Sequence, residues 1–138
     1  MDAPLHGLRV IDFTRVLAGP YCTKLLRDLG ADVTKIEPPA GDAGRAGVPH
    51  VNNMSVYYTQ QNAGKRNISI DLNYPEAREI VRGLCRDADV IVENFRPGTL
   101  ARILLRIHRH IVDVGHAGAT SVACGRFDLG YVRAEVAQ

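Results

Sequence analysis

Within residues 8–37 the apolar pattern changes period twice, and that change constrains the fold more than any other feature. LRVIDF (residues 8–13) is short, apolar and β-branched, the mark of a buried strand. From Ala18 the apolar side chains recur at Ala18, Tyr21, Cys22, Leu25, Leu26 and Leu29, steps that give a helix one apolar face. Pro20 suits a first helical turn, where its missing N–H costs nothing. Gly30 suits the left-handed position that ends a helix. DVTKIE (residues 32–37) then reads as a second strand. Strand, helix and strand within about 30 residues make a βαβ unit. Its right-handed crossover sets the two strands parallel and adjacent.

A second set of elements follows. Ile68, Ile70 and Leu72 alternate with Ser69 and Asp71, which predicts a strand over residues 68–72 with one wetter face. Pro75 opens a helix whose apolar face is Ala77, Ile80, Val81, Leu84, Cys85 and Ala88. DVIVENF (residues 89–95) is a further buried strand. The order predicts an α/β fold with a mainly parallel sheet. Ligands of such sheets sit beyond the carboxyl ends of the strands, here residues 14–19, 37–42, 72–73 and 94–98. Residues 38–53, PPAGDAGRAGVPHVNN, are dense in Gly, Pro and Asn and read as a long loop of the kind that serves function. After Arg102 the period is lost. Ile103, Ile107, Ile111 and Val114 suit a helix, whereas RIHRHIVDV alternates like a strand.

Composition narrows the function classes. The chain has 138 residues, enough for one domain, and 46% hydrophobic residues, enough for a core. A net charge of +2 is too small to argue for nucleic acid or an anionic membrane surface. No apolar run approaches the about 18 residues that would span a bilayer, and the N-terminus has no basic-then-apolar leader pattern. Cys22, Cys85 and Cys124 lie far apart with no CxxC, which fits free thiols in a reducing cytoplasm. His108, His110 and His116 have no Cys or acid spaced to complete a metal site, so no metal is expected.

The turn after the first strand, TRVLAGP (residues 14–20), joins strand to helix through small residues but lacks the G-x-G-x-x-G of a dinucleotide site. The segments GLRVIDFTRVLAGPYCTKLLRDLGADVTKIEPPAGD, NAGKRNISIDL and ADVIVENFRPGTLAR, in that order and spacing, resemble the family III CoA-transferases. That family spans formyl-CoA transferases, carnitine-type CoA-transferases and α-methylacyl-CoA racemases. The resemblance covers roughly residues 4–102 and divides the chain into a CoA-transferase-type region, residues 1–102, and a divergent tail, residues 103–138. The tail is read as frameshifted or poorly ordered. The resemblance implies a Rossmann-like large domain and, for the family, interlocked homodimers, an assembly less expected of so short a chain. It also implies transfer of CoA between an acyl-CoA and a carboxylate, with CoA or acyl-CoA as substrate and no permanently bound cofactor.

By the same resemblance, Val16, Leu17 and Ala18 approach coenzyme A, Asn94 and Phe95 line its site, and Arg102 lies near its phosphates. Leu72 matches an apolar position near the coenzyme, with core packing as its other reading. Lys65 and Arg66 form a cationic pair that either meets phosphate or sits in a wet turn. Where some relatives carry a basic residue, Pro38 stands here, and Arg45 is the nearest substitute cation. The transferases use an aspartate nucleophile and the racemases an Asp and His pair. In the relatives that aspartate falls beyond position 138, so no catalytic residue is assigned, and Asp128 reads as a turn residue. Three descriptions of the chain remain: the N-terminal part of a CoA-transferase or of a related acyl-CoA racemase, a non-catalytic remnant that binds coenzyme A, or an unrelated nucleotide-binding α/β domain.

Overall fold

The computed structural model describes residues 3–96 and 98–104, the side chain of residue 101 excepted, and the backbone of residues 111–116, 119–122 and 132–134. In chain order the elements are β1 (Arg9–Asp12), α1 (Ala18–Asp28), β2 (Asp32–Glu37), a 3-10 turn (Ala43–Ala46), β3 (His50–Val51), β4 (Met54–Ser55), α2 (Val56–Asn62), β5 (Arg66–Ser69), α3 (Pro75–Asp87), β6 (Val90–Glu93), α4 (Thr99–Leu104), β7 (Ile111–His116), β8 (Ala119–Val122) and β9 (Val132–Ala134). The main sheet has the order β5-β2-β1-β6-β7-β8-β9. It is parallel from β5 to β7 and antiparallel from β7 to β9. The expected α/β architecture with a mainly parallel sheet is therefore present.

Strand alternation sorts the core onto two faces. Val10, Val33, Val90 and Val92 pack with Ala31 and, from α1, Leu26. Ile11, Phe13, Ile36 and Ile91 pack with Val81, Cys85 and Ala88 at α3 and with Leu100 and Leu104 of α4. Both faces of the inner strands are covered, as a parallel sheet requires. Gly30 closes α1 as the sequence predicts. Its φ is +103°, its amide donates to Arg27 O at 3.0 Å, and the Ala31 amide donates to Leu26 O at 3.0 Å.

Several expectations need correction. The strand predicted over residues 68–72 lies earlier, at Arg66–Ser69, because β2 ends at Glu37, opposite Ser69, and offers no ladder beyond it. One further bond, Ile70 N to Glu37 O at 2.9 Å, closes the pairing. The alternation itself holds, since Ile68, Ile70 and Leu72 all pack against the α3 core. Residues 38–53 contain structure: the 3-10 turn, and the start of a β3–β4 hairpin turning at Asn52 and Asn53, both with positive φ. Helix α2 was not foreseen. Its sequence VYYTQQN shows no apolar period, and its start is set by Ser55, whose hydroxyl accepts from the Tyr58 amide. The two readings for the stretch after Arg102 divide: Ile103 lies in α4, the backbone at Ile111–His116 is a strand, and residues 105–110 lie outside the described residues. The other statements about residues 105–138 concern side chains or segments outside the described residues.

The helix faces differ in detail as well. Ile80 is 59% exposed and lies off the buried stripe of α3, which is Ala77, Val81 and Cys85. Substituting Ile91→Ala, which opens a cavity in the central sheet, is expected to lower unfolding free energy by about 2–5 kcal/mol. Ile80→Ala is expected to stay within about 0.5 kcal/mol. Urea unfolding of both variants checks the assignment.

Candidate functional site

The chain runs β1, β2, β5 toward one edge and then returns to place β6 on the other side of β1. Strand order therefore reverses between β1 and β6, and in open α/β sheets ligands bind in the crevice at that reversal. The segments at its rim are residues 13–18 and 94–98. They are held together by Asn94, whose Oδ1 accepts from the Arg15 amide and whose Nδ2 donates to Arg15 O, both at 2.9 Å.

Beneath this turn lies a buried charge network. Asp12 ends β1 with no exposure. Its Oδ1 accepts from Thr14 N at 2.8 Å and Thr14 Oγ1 at 2.5 Å, and its Oδ2 from Thr23 Oγ1 at 2.6 Å and Lys65 Nζ at 3.0 Å. Lys65 Nζ also donates to Pro20 O at 2.9 Å and Asn62 Oδ1 at 2.8 Å. Burial pushes the Lys65 ammonium below its ordinary pKa, against the opposing pull of Asp12. This arrangement also changes which face of α1 meets the sheet. Gly19, Pro20 and Thr23 are buried, while Ala18, Tyr21, Leu25 and Leu29 of the predicted apolar face are exposed. Gly19 is required there, because a Cβ would stand 2.4 Å from Thr14 Cβ.

A second pair lies beside the first. Lys35 Nζ donates to Thr14 O at 2.5 Å and sits 3.0 Å from Asp42 Oδ2, with both side chains 1% exposed. That contact is ionic without hydrogen-bond alignment. Asp42 Oδ1 accepts from Gly44 N at 2.8 Å and Val16 N at 3.2 Å. Val16 has φ +72°, a conformation costly for a β-branched residue, about 1–2 kcal/mol. The result is a braced turn that leaves the Val16 and Leu17 side chains about half exposed and starts α1 with neither a side-chain cap nor an acidic residue. An uncapped helix start presents unsatisfied N–H groups to anions.

Of the residues singled out in the sequence, Val16, Leu17, Ala18, Asn94 and Phe95 come together at this rim. Phe95 is half-buried against the α3-side core, its ring 5.2 Å from the Arg15 guanidinium. Arg102 is exposed on α4, its amide bonded to Gly98 O at 3.1 Å, so its helix springs from the same loop. Leu72 packs into the core cluster on the α3 side, consistent with its packing reading. Three cations are committed elsewhere. Lys65 is buried on Asp12. Arg66 pairs with Asp32 at the amino ends of β5 and β2, away from the rim. Arg45 pairs with Glu37 through Nε at 2.7 Å and Nη2 at 2.9 Å and stacks on Tyr58, so it does not serve as a free phosphate cation. Sequence reasoning missed Arg15, Asp12, Lys35 and Asp42. For Asp12 and Lys35 the available signal was a charge at an inward position of an otherwise apolar strand; Arg15 and Asp42, in the turn and loop that follow, carried none. Among the described residues no cluster suits a metal, and no helix is long and apolar enough to cross a membrane. Cys22 and Cys85 are free thiols; Cys124 and the predicted histidines at 108 and 110 lie outside the described residues.

A family model for CoA-transferase family III matches residues 5–110. The chain is similar to the succinyl-CoA:mesaconate CoA-transferase of Haloarcula hispanica, with 48% identity over 103 residues, covering 71% of this chain and 26% of that protein. It is 44% identical over 105 residues to a formyl-CoA:oxalate CoA-transferase of Rhodopseudomonas palustris, covering 75% of this chain and 25% of that protein. Among solved structures it is similar to a CAIB/BAIF family protein from Brucella suis, with TM-score 0.71, 42% identity, and coverage of 78% of this chain and 30% of that one. A hypothetical protein from Mycobacterium tuberculosis gives TM-score 0.75 and 35% identity over 84% of this chain and 34% of that one. The chain spans about a quarter of the length of the curated relatives it matches.

Two outcomes follow from the charge networks. Lys65→Met strands the buried Asp12 carboxylate and is expected to cost about 3–5 kcal/mol, with part recovered by adding Asp12→Asn, as read by urea unfolding. At Glu37, burial alone would raise the carboxyl, but hydrogen bonds from Arg45, Tyr58 and the Asp42 amide overcome it and hold the pKa at about 2, below its ordinary 4.5. A carboxyl lowered on folding stabilises fully above its unfolded pKa and loses that contribution as pH falls through the folded one. The expected result is a loss of stability between about pH 4.5 and 2 whose slope is reduced in Glu37→Gln, measured by thermal unfolding across that range.

Proposed function

The chain belongs to CoA-transferase family III, and from that membership we propose that it supplies the coenzyme A-binding part of an enzyme that moves CoA from an acyl-CoA to a carboxylate acceptor. The observation that carries the reading is the braced turn at the β1/β6 reversal, which brings half-exposed Val16 and Leu17, an uncapped helix start, Phe95 and exposed Arg15 to one edge of the sheet, with exposed Arg102 on the helix that follows. The chemistry suits coenzyme A. Val16 and Leu17 offer apolar surface and close backbone to the pantetheine arm. Phe95 offers a ring face, and Arg102 a guanidinium able to take phosphate with two parallel bonds. The ligand-binding role falls to residues 1–102, with cytoplasmic placement as part of the reading.

In such a transfer a carboxylate attacks the thioester carbonyl and expels CoA thiolate, giving an enzyme anhydride that the thiolate then attacks to form an enzyme thioester and release the first acid. The acceptor carboxylate attacks that thioester and expels CoA thiolate, giving a second anhydride, and the thiolate attacks its acceptor carbonyl to form the new acyl-CoA and free the enzyme carboxylate. Among the described residues, Asp12, Asp42 and Glu93 lie nearest the rim; the two aspartates are buried and ion-paired, and Glu93 is buried with its Oε2 accepting from the Phe95 amide, so none is assigned as the nucleophile. What the two aspartates do is hold the turn that receives the coenzyme.

Calorimetric titration of the full chain with CoA, dephospho-CoA and NAD tests the proposal. CoA is expected to bind more tightly than NAD. Arg102→Ala is expected to weaken CoA binding by about 1–3 kcal/mol, less at high salt. Equal affinities of wild type and variant for CoA and dephospho-CoA, or tighter binding of NAD, would remove the coenzyme reading.

A further inference from the structure

Three groups brace the turn after β1, and each holds a different residue. Lys35 holds Thr14 O, Asn94 holds both backbone groups of Arg15, and Asp42 holds the Val16 amide. Val16 is the strained member of the three, with φ +72°. Left to itself, a valine relaxes to negative φ, which would rotate the Val16–Leu17 peptide and swing the start of α1. Among the described residues the acceptor that opposes this is Asp42 Oδ1. Asp42 is itself fixed from three directions. Lys35 faces its Oδ2 at 3.0 Å, the Gly44 amide donates to Oδ1 at 2.8 Å, and its own amide donates to Glu37 Oε2 at 2.9 Å.

We propose that Asp42 is a positioning residue for coenzyme A: by accepting from the Val16 amide it keeps Val16 left-handed, and so sets the direction in which Val16, Leu17 and the first amides of α1 meet the ligand. The inference rests on the function proposed above and extends it from the residues that touch coenzyme A to one that acts through them. It also ties the turn to the loop after β2, because the oxygen that holds Val16 also caps the 3-10 turn at Ala43–Ala46. One carboxylate oxygen therefore joins the two segments.

The test uses the full chain, with CoA as the probe. Asp42→Ala removes the acceptor. Asp42→Asn keeps a carbonyl oxygen for the Val16 and Gly44 amides and, like Asp42→Ala, leaves Lys35 without its counter-charge, so the two variants differ in the acceptor. Val81→Ala, a core change at α3, controls for lost stability. The expected result is that Asp42→Ala weakens CoA about tenfold or more, Asp42→Asn stays within about threefold of wild type, and Val81→Ala leaves affinity unchanged. Hydrogen exchange adds a readout without ligand: the Val16 amide exchanges faster in Asp42→Ala than in Asp42→Asn. Should Asp42→Ala alone not fold, the same comparison is made on a Lys35→Met background, which removes the stranded cation. Wild-type affinity in folded Asp42→Ala, or equal loss in Asp42→Asn, would overturn the proposal. No CoA binding by wild type would overturn the function proposed above and the coenzyme part of this inference, and leave the hold of Asp42 on Val16 to be decided. Exchange then decides it, and an unchanged Val16 rate in Asp42→Ala would overturn it.

Discussion

Lys65 Nζ reaches the Asp12 carboxylate at 3.0 Å from 53 residues further along the chain, in a place that water does not enter. Removing two charges from water is costly, and their attraction repays the cost only when every remaining lone pair and proton is also satisfied. Here they are. Thr14 and Thr23 supply the other donors to Asp12, and Pro20 O and Asn62 Oδ1 take the other protons of Lys65. A pair of this kind adds little net stability over apolar side chains of the same size, but it tolerates few geometries. Those bonds are made together only when β1, the first turns of α1 and the end of α2 stand in one arrangement. The interaction is best understood as the lock that seats α1 over the sheet.

Thr14 carries the constraint from that lock to the ligand side. Its amide and hydroxyl belong to Asp12, and its carbonyl belongs to Lys35. Gly19 lets α1 come down on it, since any side chain there would collide with Thr14. The turn that follows is ordered by the protein before any ligand arrives. A ligand then meets fixed amides instead of ordering a loop, and binding is spared that entropy. Glycine-rich nucleotide loops reach a similar end through backbone freedom. This turn reaches it with side chains, which is why Val16 can stand where φ is positive.

That difference explains much of what was legible in the sequence and what was not. The inner strands β1, β2 and β6 are short apolar runs with covered faces, so Val10, Ile11, Val33 and Ile91 announced themselves. Gly30 and Pro75 marked a helix end and a helix start by backbone geometry alone. The turn was visible as a break between two periods. Its bracing was hidden, because a charge on β1 or β2 does not name its partner: Asp12 meets Lys65 from 53 residues away, and Lys35 meets Asp42 from the loop that follows its own strand. The same pairs misled the reading of α1. Periodicity assigned Tyr21 and Leu25 to the core, yet the sheet beneath the helix start is polar and takes Thr23 instead. Helix α2 stayed unseen because VYYTQQN is ordered by a Ser55 cap and by Tyr58 on Glu37, not by an apolar stripe.

The pairs also decide where the site is positive. Lys35, Lys65 and Arg45 each face a carboxylate, so each contributes a dipole rather than a net charge. Arg66 is spent at the opposite end of the strands. Among the described residues, the exposed cations near the β1/β6 reversal are Arg15, Arg96 and Arg102, on the turn, on the Phe95 loop and on α4. Their field is screened within about 8–10 Å at ordinary salt, so it acts on that side of the crevice and fades over the rest. The uncapped start of α1 adds its partial charge at the turn itself. Val16 and Leu17 meanwhile offer apolar surface. A ligand with phosphates at one end and a long, weakly polar arm at the other therefore has one favourable direction. On the function proposed above, its phosphates would lie toward the arginines of the loop and α4, and its arm would cross the turn that Asp42 and Asn94 hold in place.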